Sequence, residues 1–147
     1  AKGEGTMYGY LNAPEATREA IKKAYLYTGD LATIDEEGYV YISGRKVEAI
    51  TTEGRILSPS EIEDVIYRHS AILEAAVIGV PNEKLGEVPK AVVVLKEGKE
   101  ATEEEILQLC RQNLPAYAVP RSVDFVKSLP RSSVGKILKR KLQEKYV

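Results

Sequence analysis

The sequence predicts an α+β fold in which helices pack on a small, mixed and mainly antiparallel sheet. Short apolar runs rich in β-branched residues alternate with segments of helical periodicity, which is the order expected of mixed strands and helices. Polar turns that contain glycine, at 35–38 and 53–54, lie between such runs and predict two hairpins. Hydrophobic residues make up 44% of the 147 residues and charged residues 29%, so the chain can bury a core beneath a solvated surface.

The first third of the chain predicts a helix, a short strand and a hairpin. Pro14 suits the first turn of a helix, which we expect to run to about Ala24. A short strand at 25–27 follows, and then two strands form a hairpin around the turn at 35–38. Residues 43–46 end this hairpin and are the best candidate for a domain boundary.

The rest of the chain predicts a second series of strands and helices. Ser58 is expected to cap a helix with Pro59 at its first position, and Thr102 and Glu105 have the spacing of a capping box. Cys110 shares the apolar face of that later helix, which predicts a buried core residue and not a nucleophile. The other expected elements are strands at 48–51, 56–57, 75–80, 91–95 and 122–126, a loop at 81–86 and a basic helix at 137–145.

Composition argues against several classes of function. The formal net charge of −1 disfavours a protein dedicated to nucleic acid or to an anionic membrane surface. No apolar run approaches the ~20 residues of a membrane span, and no signal segment opens the sequence. A single cysteine cannot form an internal disulfide and suits a reducing cytoplasm. Ala1 and Lys2 look like the middle of a longer sequence, so we expect an excised segment.

Three segments carry residue types suited to a phosphorylated ligand. Asp30 and Arg45 flank the first hairpin, so a carboxylate for sugar hydroxyls and a guanidinium for a phosphate can meet at one edge. Gly54 permits a tight turn that a ligand can approach closely. Lys136, in a Ser/Gly loop, can deliver a positive charge to a phosphate, but that loop lacks the second glycine of a P-loop. Taken alone, each segment also fits a structural role: a surface ion pair, an ordinary hairpin turn or a solvated basic helix.

In this order the three segments resemble the adenylate-forming superfamily, which comprises acyl-CoA synthetases, peptide-synthetase adenylation domains and firefly luciferase. Each motif is weak alone, but the resemblance covers essentially the whole chain. Further matching segments are Tyr8-Gly9-Tyr10-Leu11-Asn12-Ala13-Pro14-Glu15-Ala16-Thr17, Glu74-Ala75-Ala76-Val77-Ile78-Gly79-Val80-Pro81 and Leu114-Pro115-Ala116-Tyr117-Ala118-Val119-Pro120.

The resemblance implies a reaction in two steps. A carboxylate first attacks the α-phosphate of ATP, giving an acyl-adenylate and pyrophosphate, and a thiol then displaces AMP. By resemblance, Lys136 bridges the carboxylate and the α-phosphate in the first step, where its charge offsets the repulsion between two anions. Asp30 matches the residue that holds the ribose hydroxyls, Arg45 a second nucleotide contact, and Ile42 a position beside the ribose and base.

The same resemblance implies a lid that rotates between the two steps. Val47 matches the pivot, where the family usually has Asp or Lys, so the pivot residue itself is a departure. Rotation would replace Lys136 with Glu53 and Gly54, which match a loop beside the pantetheine tunnel that often carries two glycines. Arg121 and Arg111 match positions that would contact the phosphates of CoA. For both residues, a place on the solvated surface is an equal alternative.

Domain boundaries and partners follow from the resemblance as expectations. Residues 1–46 would be the tail of a large nucleotide-binding domain and 47–147 the mobile lid of an acyl-CoA synthetase, with fatty or related acids as substrates. The implied cofactors are ATP, CoA and Mg²⁺, and Mg²⁺ would come with ATP and be held mostly by the missing domain. The chain alone is not expected to catalyse the full reaction or to hold a metal. One alternative is the lid of a peptide synthetase, disfavoured by the run 46–50; another is a stand-alone binding module.

Overall fold

The computed structural model describes residues 1–146, and its first elements are small. Helix α1 (Pro14–Ala20) leads into strand β1 (Ile21–Lys22), which pairs with β2 (Tyr25–Leu26). The predicted helix end near residue 24 is therefore wrong. Lys23 and Ala24 have φ values of 50° and 64°, so the chain reverses there in the left-handed conformation and cannot continue the helix.

The first predicted hairpin is confirmed as β3 (Asp30–Ile34) and β4 (Val40–Arg45). Asp35 organises its turn, because its carboxylate accepts the backbone N–H groups of Glu37 and Tyr39 and the hydroxyl of Tyr41 at 2.8–3.0 Å. None of the described residues before Ile50 is buried. This amino-terminal segment, residues 1–46, is therefore held by local hydrogen bonds without a core of its own.

A 3₁₀ turn at Lys46–Glu48 leads into the carboxy-terminal unit, residues 47–146, which is built on a five-stranded sheet. Its strands lie in the order β6-β5-β8-β7, with β9 parallel to β8 and the other pairs antiparallel. This confirms the predicted α+β class with a mixed, mainly antiparallel sheet. The strand bounds are β5 Ile50–Thr52, β6 Arg55–Leu57, β7 Ile72–Asn82, β8 Gly86–Leu95 and β9 Val123–Phe125.

Helices cover both faces of this sheet. Residues 75, 77, 91 and 93 point into a core cluster with α2 (Pro59–Ile66) and α3 (Glu103–Asn113), while residues 76, 78, 92 and 94 pack against α4 (Lys139–Tyr146). The alternation follows from the two-residue period of a strand. Cys110 lies in the first cluster, as predicted, and burial raises the pKa of its thiol to about 11. The thiol is therefore a core group.

The helix starts give one confirmation and one correction. The capping box is present, with Thr102 accepting the backbone N–H of Glu105 and the Glu105 carboxylate accepting that of Thr102. Ser58 does not cap α2, because its hydroxyl donates instead to the backbone carbonyl of Ser43. A Cβ on Gly44 would lie 2.8 Å from the Ser58 Oγ, so this close contact between β4 and α2 requires glycine.

Strands β7 and β8 form a longer hairpin than expected. β7 continues through Pro81 to Asn82, so the predicted loop at 81–86 shortens to the turn around residues 83–85. β7 lies at the edge of the sheet, where a proline without an N–H group is tolerated. Within residues 1–146, no helix combines the length and apolar character needed to cross a membrane.

Candidate functional site

The hairpin of the amino-terminal segment brings Asp30 and Arg45 together. The two residues are register partners across β3 and β4, and the Arg45 Nη1 lies 3.1 Å from the Asp30 Oδ1. The same guanidinium donates to the Thr28 carbonyl at 2.9 Å. The Asp30 side chain is 24% exposed and that of Arg45 56%. A pre-aligned carboxylate and guanidinium are thus available to a ligand at this edge.

Ile42 and Val47 lie on either side of Arg45 along the chain. Ile42 pairs with Ala32 in the hairpin and is 70% exposed, so its side chain offers an apolar contact without a partner in the core. Val47 is 87% exposed in the 3₁₀ turn, whose first residue, Lys46, donates its backbone N–H to the Gly29 carbonyl at 2.8 Å. A turn with an exposed central side chain leaves room for a change in φ and ψ.

Lys136 lies on a compact loop between β9 and α4. The loop closes through a bridge between Arg131 and Ile137, and Ser132 contacts Lys136 twice. Its N–H donates to the Lys136 carbonyl at 2.8 Å, and its hydroxyl accepts the Lys136 N–H at 3.2 Å. Arg131 adds a clip, since it contacts both the Gly135 carbonyl and the Glu74 carboxylate. The backbone at Lys136 is therefore held firmly, and Lys136 is exposed.

The ammonium of Lys136 forms no ion pair within the part of the chain that the structure describes. Across residues 1–146, no carboxylate lies within ion-pair distance of its Nζ. By contrast, Lys139, three residues later, is 13% exposed and is paired. A lysine held by its backbone with a free, solvated ammonium can meet an anion that arrives from outside the domain.

Glu53 and Gly54 form the tip of the β5–β6 hairpin. Their φ values are 50° and 74°, the pair of positive angles that a type I′ turn requires. The Glu53 N–H donates to the Leu85 carbonyl at 3.0 Å, which ties the tip to the β7–β8 turn. A Cβ on Gly54 would meet nothing within 4 Å, so the turn is open to a ligand.

One cleft lies beside this turn, and a second cleft shares Ala116 and Arg121 with it. The first, of about 310 Å³, includes Glu53 and Tyr117; the second, of about 320 Å³, includes Arg111. Arg111 also forms an exposed pair with Glu104 at 2.6 Å. The structure therefore gathers three of the sequence-predicted residues, Glu53, Arg111 and Arg121, around one surface.

Lys136 and the Glu53 turn belong to opposite ends of the β7–β8 hairpin. The Lys136 loop is anchored at Glu74, near the start of β7, and the Glu53 turn lies beside the end of β7, because Thr52 pairs with Gly86. At ~3.3 Å per residue, the eight residues from Glu74 to Asn82 span about 26 Å. The two candidate groups are therefore anchored at opposite ends of β7.

Sequence reasoning missed two sets of charged contacts around the Lys136 loop, which together comprise three ion pairs. One is the pair of Arg131 with Glu74. The other is a cluster in which the Lys139 Nζ lies 2.8 Å from Glu63 Oε1 and 3.3 Å from Glu48 Oε2. All these partners are at least 57 residues apart in sequence, so no local spacing signals them. Among the described residues, no three His, Cys, Asp or Glu side chains converge as a metal site would require.

Comparison with known proteins identifies the family to which the chain belongs. A family model described as the AMP-binding enzyme C-terminal domain matches residues 61–136. The long-chain-fatty-acid–CoA ligase of Bacillus subtilis strain 168 is 45% identical over 143 residues, which are 97% of this chain and 26% of that protein. The chain thus spans about a quarter of the length of the curated relatives that it matches.

Solved structures give the same answer for the fold. The o-succinylbenzoate CoA synthetase MenE of Bacillus subtilis, in complex with its acyl-adenylate intermediate, aligns with a TM-score of 0.91 and 33% identity over 97% of this chain and 29% of that one. ATP-bound MatB from Rhodopseudomonas palustris aligns with a TM-score of 0.86 and 38% identity over 95% and 28%. The resemblance drawn from the sequence is confirmed, and the chain belongs to the AMP-binding enzyme C-terminal domain family.

Proposed function

We propose that this chain serves an AMP-forming acyl-CoA ligase that activates a carboxylic acid, of fatty or related acyl type, with ATP and transfers the acyl group to CoA. The names of its relatives support CoA as the acceptor, since they are long-chain-fatty-acid–CoA and 2-succinylbenzoate–CoA ligases. The observation that carries the proposal is a backbone-anchored Lys136 whose ammonium pairs with no carboxylate of residues 1–146, set at the opposite end of a hairpin from a second, arginine-lined surface.

Residues 1–46 would complete a large nucleotide-binding domain, and residues 47–147 would form the mobile lid. The distribution of burial supports this division, because every buried residue among those described lies between Ile50 and Leu142. Apolar side chains of the amino-terminal segment, such as Ile34 and Ile42 at 70% exposure each, would be covered by the large domain.

In the first step, an oxygen of the acid attacks the α-phosphorus of ATP, and pyrophosphate leaves. Lys136 would lie between the carboxylate and the α-phosphate, where its positive charge offsets their repulsion and stabilises charge that builds up in the transition state. Asp30 would accept the ribose hydroxyls, Arg45 would add a nucleotide contact, and Ile42 would pack beside the ribose and base. Mg²⁺ would arrive with ATP and be held mainly by the large domain.

In the second step, the sulfur of CoA attacks the acyl carbon, and AMP leaves. The lid would first rotate about Val47, withdrawing Lys136 and presenting the Glu53–Gly54 turn to the acyl-adenylate. The open space above Gly54 would admit the pantetheine arm, and Arg121 and Arg111 would meet the phosphates of CoA. The separation of the two ends of the hairpin supports this exchange, because one lid can serve both steps only by turning.

Lys136→Ala in the full-length protein tests the proposal. We expect adenylate formation to fall by about 100-fold or more, because a group that stabilises transition-state charge is removed, and thioester formation from supplied acyl-adenylate to change by less than about threefold. The measurements are pyrophosphate release for the first half-reaction and acyl-CoA formation for the second. Lys141→Ala is the matched control, since Lys141 is also exposed and lies on α4.

Equal loss of both half-reactions in Lys136→Ala would contradict the assigned role. The acceptor is tested by offering CoA and a phosphopantetheinyl carrier protein to the unmodified enzyme loaded with acyl-adenylate. Transfer to CoA supports the ligase, whereas transfer only to the carrier protein would indicate the peptide-synthetase alternative.

A further inference from the structure

We propose that Lys139 is a positioning residue for adenylate formation, joining the base of the Lys136 loop to the residue that follows the pivot. This inference rests on the proposed function, because it assumes that Lys136 acts in the first half-reaction and that the lid turns near Val47. Its physical basis, a semi-buried cluster of one ammonium and two carboxylates, is independent of that assumption.

The cluster links three elements of the carboxy-terminal unit. Lys139 opens α4 and its Nζ lies 2.8 Å from Glu63 Oε1 on α2 and 3.3 Å from Glu48 Oε2 in the 3₁₀ turn. The side chains of Lys139 and Glu63 are only 13% and 14% exposed, and that of Glu48 is 38% exposed. Lys139 and Glu63 are poorly hydrated and so interact more strongly than a surface pair does, whereas solvent screens the longer contact with Glu48 more.

The cluster connects two segments that the proposed mechanism uses: the turn at the pivot and the loop that carries Lys136. Glu48 directly follows Val47, and Lys139 lies three residues after Lys136. The other end of the loop is clipped by Arg131 to Glu74 on β7. The loop that carries Lys136 is therefore braced at both ends, and one of the braces ends at the turn where the lid would pivot.

Glu63 is the fixed member of the cluster. Its Oε1 accepts the backbone N–H of Val77 at 2.6 Å, and α2 packs through buried Ile62 and Ile66. If the ammonium were lost, the carboxylates of Glu48 and Glu63 would face each other without compensation. Glu48, the more exposed of the two, is the residue that would move away and carry the turn at 46–48 with it. The ion pair that connects the turn at the pivot to the base of the Lys136 loop would then be lost.

The two half-reactions should respond differently to this change. The Glu53 turn is anchored to the far end of the β7–β8 hairpin, and none of its contacts involves Lys139. A looser link near the pivot therefore misplaces Lys136 and leaves the thiol-transfer surface intact. A displacement of about 1 Å at a reacting group can cost up to about 10²-fold in rate.

The test measures both half-reactions in the full-length protein with Lys139→Met, Glu48→Ala and Lys139→Arg. For the first two we expect kcat for adenylate formation to fall about tenfold or more, with KM for ATP and the thioester half-reaction within about twofold of the unmodified enzyme. Arginine restores the charge and should recover most of the rate. Lys141→Met, on the exposed side of the same helix, should change neither half-reaction.

Glu48→Ala keeps the Lys139–Glu63 pair, so it decides the matter if Lys139→Met does not fold. Unchanged adenylate formation in Glu48→Ala, or equal loss of both half-reactions, would overturn the positioning role. The proposed function fails separately: if Lys136→Ala leaves adenylate formation intact, the assignment of Lys136 is wrong. If Lys136→Ala abolishes that step while Glu48→Ala and Lys139→Met do not affect it, only the positioning role is wrong.

Discussion

Different forces stabilise the amino-terminal segment and the carboxy-terminal unit, each within itself. Among the described residues, those before Ile50 include no buried side chain, whereas the carboxy-terminal unit packs two clusters of fully buried aliphatic residues on either face of its sheet. The first region is organised by hydrogen bonds such as those of Asp35, and the second mainly by burial of apolar surface. The amino-terminal segment also leaves many aromatic and aliphatic side chains exposed, among them Tyr8, Leu11, Ile34 and Ile42.

The same contrast divides the candidate functional residues. Asp30, Ile42 and Arg45 lie on the region without a core, and Lys136, with the Glu53 turn, lies on the region with one. A self-sufficient unit can move as a rigid body, which is what a lid requires. Under the proposed function, the segment without a core would stay with the large domain, where Asp30, Ile42 and Arg45 would contact the nucleotide.

The largest expected difference between the regions is the cost of removing an isoleucine side chain. Ile78→Ala should destabilise the protein by about 2–5 kcal/mol, because Ile78 is 1% exposed and a cavity would remain. Ile34→Ala should cost about 0.5 kcal/mol or less, because Ile34 is 70% exposed. Chemical denaturation of the 147-residue chain measures both. Equal costs would show that the amino-terminal segment contributes to the core.

A smaller difference between the two regions should appear in how their stability depends on pH under acidic conditions. Glu105 has a lowered pKa, first because of the N–H of Thr102 and then because of its hydroxyl. Burial acts to raise the pKa of Asp35, but the hydrogen bonds from Tyr39, Tyr41, Glu37 and Gly38 outweigh it, so the net shift is downward. A carboxylate with a lowered pKa stabilises the folded state above its unfolded pKa, and that contribution is lost as pH falls through the folded value.

This acid effect separates the two regions. Glu105→Gln should flatten part of the decline in global stability below about pH 4.5, the ordinary pKa of a glutamate, because α3 belongs to the cooperative core. Asp35→Asn should leave global stability against pH unchanged and instead speed amide exchange in the hairpin, where only local structure depends on the carboxylate. If Asp35→Asn alters the free energy of global unfolding at acidic pH as much as Glu105→Gln does, the hairpin is part of the cooperative unit.

Local patterns predicted much of this fold correctly. The capping box of Thr102 and Glu105, the hairpin that brings Asp30 to Arg45 and the buried Cys110 all depend on residues close in sequence or on simple alternation. The match of motifs in order also identified the family. Prediction succeeded where a short stretch of sequence contains the whole physical cause.

One error was local: Lys23 and Ala24 take positive φ values without a glycine to signal them. The others arose where the cause lies elsewhere in the chain, as when the Ser58 hydroxyl bonds to a carbonyl 15 residues away and does not cap its helix. The length of β7 depends on its place at the edge of the sheet, which only the tertiary structure reveals. In the Lys139 cluster, Lys139 is separated from Glu63 by 76 positions and from Glu48 by 91 positions, so no spacing rule could predict these contacts.

The most direct test of the account compares Lys136→Ala with Gly54→Leu in the full-length protein. Gly54 has φ +74° with open space around it, and Gly98→Leu is its matched control, because Gly98 has φ +68° and equally open surroundings. The measurement is the ratio of the adenylate-forming rate to the thioester-forming rate in each variant. We predict that Lys136→Ala lowers this ratio, that Gly54→Leu raises it and that Gly98→Leu leaves it unchanged. A shift in the same direction for Lys136→Ala and Gly54→Leu would contradict the claim that the two ends of one lid serve successive steps.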